Sequence, residues 1–194
     1  MDYIAFIAGL PEIDWDDRKL SLTVAEFREQ LKDYISGRDE RLIDLFFLPN
    51  DNAQVLRLLR KQEPDGALST VYPVKLLEDE TQEPDKTIPA YLREFIADFK
   101  EEHLRYDVSP ENVLSWMYYD YMMKADNQLV KRYAEFSMNL KNLVTALNAR
   151  KYGMEVAKEV IGSNEFAVAL RTSNEKDFGS TKLSLSIKAI TFST

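Results

Sequence analysis

The chain has 194 residues, no cysteine, one histidine and a formal net charge of −8. At this length folding buries ~70% of the unfolded surface, so a core forms without staples. The absence of Cys excludes disulfides and thiolate metal sites.

The charge is uneven: residues 1–90 carry 19 acids against 11 bases, whereas residues 91–194 carry 14 of each. Within the second part, residues 124–158 hold seven bases and three acids. That pairing reads as an internal attraction, as two opposed docking faces, or simply as solvated helix faces. Such an acidic chain is a poor non-specific binder of nucleic acid.

Residues 3–10 are apolar but too few for a membrane span, and no basic flank precedes them as in a signal peptide. Their β-branched and aromatic content predicts a short N-terminal strand or a buried extended arm. Thr23 and Glu26 form a capping box that opens a helix burying Phe27, Leu31, Tyr34 and Ile35. A second helix is expected over residues 39–48, stopping before Pro49. A third, near 52–62, points Val55, Leu56, Leu58 and Leu59 inward.

Residues 63–88 read as a break, an acidic mobile loop with Pro64-Asp65-Gly66 as a turn and Glu78, Asp79, Glu80, Glu83 and Asp85 crowded together. Helices resume with the stripe Tyr91, Leu92, Phe95, Ile96 and Phe99. Ser109 as N-cap and Pro110 in the first turn start the next helix. All seven prolines lie in the first 110 residues, so the rest is free to run as long helices.

Residues 126–152 predict the longest helix. Leu129, Tyr133, Phe136, Leu140, Leu143 and Leu147 recur at alternating spacings of four and three, and Gly153 stands at the stop. This rod of ~26 residues, ~39 Å, is expected to organise other helices around its stripe. Shorter helices follow over 154–161 and 164–172. From Gly179 to Thr194 the chain has no acid and two Lys, and seven of its sixteen residues are Ser or Thr. Leu183, Leu185 and Ile187 alternate there at strand spacing, which reads as a late strand or as a disordered or non-native tail.

The residues offer little chemistry. Glu12, Asp14, Asp16 and Asp17 resemble the start of a calcium loop, but Lys19 and Ala25 stand where Gly and Glu are needed. The acids of 78–85 read as solvated. His103 has Lys100 three residues before it, not the Glu of a di-iron helix, and reads as a surface residue. Ser173 and Lys176 have nucleophile-pair spacing without its companion motifs. The six glycines form no phosphate loop. No catalytic residue, metal site or cofactor is expected.

The best interaction candidate is Trp116 to Met123. On a helix, Trp116, Tyr118, Tyr119, Tyr121, Met122 and Met123 cover every face, so the helix is either buried all round or offers a surface to another chain. The basic residues Lys131, Arg132, Arg150 and Lys151 are a second candidate face.

The opening Tyr3-Ile-Ala-Phe-Ile-Ala-Gly-Leu-Pro11, followed by a Ser/Thr-capped helix over 21–34, resembles a bacterial family encoded beside V/A-type ATPase subunits. Residues Asn139-Leu-Lys-Asn-Leu-Val-Thr-Ala-Leu-Asn-Ala-Arg150 resemble the Asn- and Arg-bearing helices of the C subunit of V/A-type ATPases, called d in eukaryotes. Arg171-Thr-Ser-Asn174 with Asp177-Phe-Gly179 matches a further family segment. The likeness covers most of residues 1–179. It implies an all-helical, non-catalytic connector between central stalk and membrane ring, cytoplasmic and peripheral to the inner membrane through partner subunits.

The expected fold is therefore all-α, a multi-helix array around one long helix with short strands only at the two ends. The expected divisions are residues 1–62, an acidic loop at 63–88, a helical unit at 89–179 and a tail at 180–194.

Overall fold

The computed structural model describes residues 3–14, 16, 21–83, 87–104, 107–173 and 178. Among them are ten helices and no strand, so the fold is all-α as expected. The N-terminal segment corrects one expectation, because residues Tyr3–Gly9 form a helix, α1. With no strand beside it among the described residues, the segment closes its N–H and C=O groups internally. Phe6 is its buried residue, 4.8 Å from the Tyr34 ring and 6.0 Å from Phe27. The C-terminal strand expected over 183–187 lies outside the described residues.

Helix α2 (Val24–Lys32) opens on the expected capping box, with Thr23 and Glu26 each bonding the other's backbone N–H. Helix α3 (Gly37–Asp44) is capped by Ser36. Arg28 ties this front section to the chain beyond α3. Its guanidinium donates to the Asp44 carboxylate at 3.1 Å and to the Thr70 carbonyl at 2.8 Å, and it lies 4.4 Å over the Phe47 ring.

Pro49 starts a helix instead of ending one. Helix α4 (Leu48–Leu59) carries it in the first turn, where no N–H donor is required. Polar side chains of α4 then hold the following connection. Asn50 donates to the Ser69 carbonyl, and Arg57 donates to the Glu63 carbonyl. Gln54 donates to the Asp65 carbonyl and accepts its N–H, both at 2.9 Å. The Asp51 carboxylate accepts the N–H groups of Val71 and Tyr72, both at 2.9 Å.

The expected loop is therefore corrected twice. Residues 63–72 are pinned by α4, and Val74–Gln82 form helix α5, which buries Leu77 and Glu80. The acids at 78–83 read as a loop because their charge masks the apolar pair Leu76 and Leu77.

Helices α6 (Ala90–Lys100) and α7 (Pro110–Met123) start as expected, α7 with Ser109 as N-cap and Pro110 in the first turn. Helix α8 (Gln128–Lys151) is the long rod, 24 residues or about 36 Å. Gly153 at φ +69° follows it in the left-handed region that favours glycine. Helices α9 (Val156–Glu159) and α10 (Glu165–Thr172) close the described chain.

Two apolar cores result among the described residues. The larger runs from Leu48 to Ala134 and includes Val55, Leu77, Leu92, Phe95 and Met122, so it crosses the break expected at 63–88. The smaller joins Ala146 of α8 to Val160, Phe166, Ala167, Leu170 and Phe178. Helix α8 belongs to both.

Asp51 is fully buried, and desolvation pushes its carboxyl up to about 6 against the opposing pull of its backbone donors. A raised carboxyl favours the folded state most below its unfolded value near 3.8, and that contribution is lost as pH rises through about 6. Asp51→Asn removes this dependence and sets an amide N–H₂ against a backbone donor. Urea denaturation should show the substitution destabilising at pH 5 by more than at pH 8, with the gap between the two about 1.4 kcal/mol.

Candidate interaction surface

Helix α8 turns its apolar stripe outward. Leu129 is 75% exposed, Tyr133 47%, Leu140 48%, Val144 50% and Leu147 44%, while Phe136 and Leu143 are half-buried. The buried residues are Val130, Ala134, Met138, Asn139, Asn142, Ala146 and Ala149. At about 100° per residue the stripe occupies an arc of roughly 100°, and the buried set is centred on the opposite side. The expectation that the stripe organises the other helices is corrected: Leu143 of the stripe packs against the smaller core, but α8 is seated mainly through Val130, Met138 and small and amide side chains on the opposite face.

That inward face works by close approach and by hydrogen bonding. Alanines at 134, 146 and 149 let neighbouring helices come near. Asn142 is fully buried and clamps the backbone of Ile161, donating to its carbonyl at 2.8 Å and accepting its N–H at 2.9 Å. Asn139 accepts from Asn164 Nδ2 at 3.0 Å. Arg171 of α10 donates to the carbonyls of Val160 and Gly162 at 2.8 and 2.6 Å. Gly162, at φ +81°, meets α7 and α8 here: a Cβ on it would lie 3.0 Å from Met138 Sδ and 3.1 Å from a Trp116 ring carbon. The link from α9 to α10 is thus seated on α8 by amides.

Helix α7 is an internal helix. Leu114, Tyr118 and Met122 are buried, and Met117, Tyr119, Tyr121 and Met123 are half-buried against the larger core. The Tyr118 hydroxyl donates to the Leu45 carbonyl at 3.0 Å, and the Tyr121 ring lies 5.0 Å from that of Tyr91, tilted by 38°. Burial raises the Tyr118 phenol, and it raises that of Tyr91, whose hydroxyl donates to Asn52 Oδ1 at 2.7 Å. Trp116 lines an open groove of about 660 Å³ with Val113, Ile161 and Gly162, and exposed His103 lies at its lining. The Trp116–Met123 run is therefore mostly spent on packing inside this chain.

The basic candidates divide. Arg150 is half-buried, donates to the Ser173 carbonyl and lies 3.3 Å over the Phe178 ring, so it serves the smaller core. Lys141 is turned to α7, donating to Ser115 Oγ at 3.1 Å, and burial pushes its ammonium down. Arg132 and Lys151 are exposed and Lys131 is half-buried. Arg132 sits on the flank of the stripe and Lys151 at its end. Phe46, itself 37% exposed, extends the apolar surface by meeting Tyr133 edge-on at 4.8 Å. No described helix is long and apolar enough to cross a membrane.

A family model matches residues 1–190, nearly the whole chain. The chain belongs to the family described as "Protein of unknown function (DUF2764)". In this member of the DUF2764 family the match reaches beyond the described helices into the Ser/Thr-rich tail. Comparison with curated proteins and with solved structures finds no match.

The reading of the stripe as core failed because periodicity locates a face without saying which way it points. The signal for the other face was present as Ala134, Met138, Asn142, Ala146 and Ala149, which recur at spacings of four and three that also keep to one helix face. Two truncations test the orientation. Leu140→Ala should cost under about 1 kcal/mol, whereas Met138→Ala at the inward face should cost about 2–4 kcal/mol. Chemical denaturation of both variants checks the contrast, and equal losses would contradict it.

Proposed function

We propose that this chain is a non-catalytic subunit or accessory protein of a bacterial V/A-type ATPase, a connector between the central stalk and the membrane ring that resembles the C subunit. The observation that carries the docking part is the outward apolar stripe of α8. A row of leucines running much of the helix, with several members about half exposed, is surface that monomers rarely leave uncovered. The ATPase part is supported by the sequence resemblance over residues 1–179 and agrees with an all-helical fold. In this reading the protein is cytoplasmic, held at the inner membrane through partner subunits and participating in ion transport without chemistry of its own.

Affinity purification of the intact chain from native membranes, followed by mass spectrometry, tests the assignment. Stalk or ring subunits should be recovered in fixed ratio. Recovery of none, from membranes in which the ATPase is itself detected, would contradict it and leave a free-standing helical adaptor or assembly factor.

A further inference from the structure

We propose that the outward stripe of α8 is one half of a short coiled coil, and that its occupant is an amphipathic helix with acidic flanks from another protein. The claim deepens the docking reading above and rests on it, but it does not depend on the partner being an ATPase subunit.

The spacing points to a helix. Leu129, Tyr133, Phe136, Leu140, Leu143 and Leu147 follow a strict four-three alternation, with Tyr133, Leu140 and Leu147 at a positions and Leu129, Phe136 and Leu143 at d. A seam of period 3.5 over about 27 Å is matched by another helix carrying the same period. The three a residues share nearly the same exposure, 44–48%, Leu129 stands well clear at 75%, and Phe136 and Leu143 sit lower, half-buried. A half-sunken row with its a residues at one level suits a helix laid along it. Insertion into lipid needs an apolar face that projects about 5–10 Å into the headgroup and acyl boundary.

Charge selects among helices. Of the five bases along α8, Lys141 and Arg150 are turned into the chain, which leaves Lys131, Arg132 and Lys151 against the single acid Glu135, in a chain whose net charge is −8. Lys131 and Arg132 make no ion pair among the described residues. By helical phase Arg132 flanks the seam and Lys151 stands at its end, while Glu135 falls on the other side of the helix. A second copy of this chain would bring the same cationic excess against itself. The chain's own residues 179–194 hold two Lys and no acid, and their apolar residues alternate at period two. An acidic heptad helix answers both the seam and its flank.

A photo-crosslinking amino acid placed at position 140 or 147 of the full chain, expressed in the native host, tests this directly. Gln62, exposed and far from the seam in sequence, is the control position. Sequencing of the adduct should return a segment of another protein with apolar residues at alternating three and four spacings and a net negative charge. Leu140→Glu should cut the adduct from position 147 by about tenfold or more, as loss of a central anchor does, with circular dichroism unchanged. Several outcomes would overturn the proposal: adducts no stronger than the control, adducts with a second copy, with residues 179–194 or with a segment lacking the heptad, or stripe-dependent sedimentation with anionic phosphatidylglycerol vesicles. A heptad adduct from a protein outside the ATPase would uphold the seam and sink the ATPase assignment. Co-purification of the ATPase with adducts only away from the seam would do the reverse.

Discussion

The inward face of α8 sets the terms for the rest of the molecule. Because that face is built from Ala134, Ala146 and Ala149 with Asn139 and Asn142, helices approach closely and the link between α9 and α10 is hydrogen-bonded to α8 itself. Buried amides carry a strict requirement: Asn142 must find a donor and an acceptor, and the Ile161 peptide supplies both. Once this face is committed inward, the helix has no choice about the opposite one. The leucines point out, and the surface that looks most like core becomes the surface available to a partner.

The same logic recurs on α4. Asn50, Asp51, Gln54 and Arg57 each reach the backbone of the connection to α5, so a segment with few apolar residues is held by side-chain amides, a carboxylate and a guanidinium. The two long-range organisers of this fold are polar clamps on helices, and the apolar cores fill around them. Arg28 plays the corresponding part for the front helices, joining α2 to α3 and to the same connection.

Local signals were legible in the sequence and long-range direction was not. The capping box of Thr23 and Glu26, the Ser109-Pro110 start, the inward residues of α6 and the stop at Gly153 all rest on chemistry within a few residues, and each holds in the structure. Pro49 was ambiguous because proline ends one helix and begins another with equal ease. The acids of 78–83 concealed α5 since composition outweighed the two apolar positions that α5 turns inward. The α8 stripe was found and faced the wrong way, because hydrophobic spacing is shared by a core and by an interface. Asn142 and Gln54 carry no local pattern that foretells their backbone partners, so the clamps that orient these helices stayed hidden. The candidate bases separated only once Arg150 was placed against Ser173 and Phe178.

The absence of cysteine from the sequence makes the central claim directly measurable. Single cysteines introduced in turn from position 129 to 147 of the purified chain, each timed for reaction with a maleimide, report the orientation of α8 residue by residue. The account predicts fast modification at 129, 133, 140, 144 and 147 and slow modification at 134, 138, 142 and 146. The reverse pattern, with the leucine positions protected and the alanine and asparagine positions reactive in the isolated protein, would contradict it.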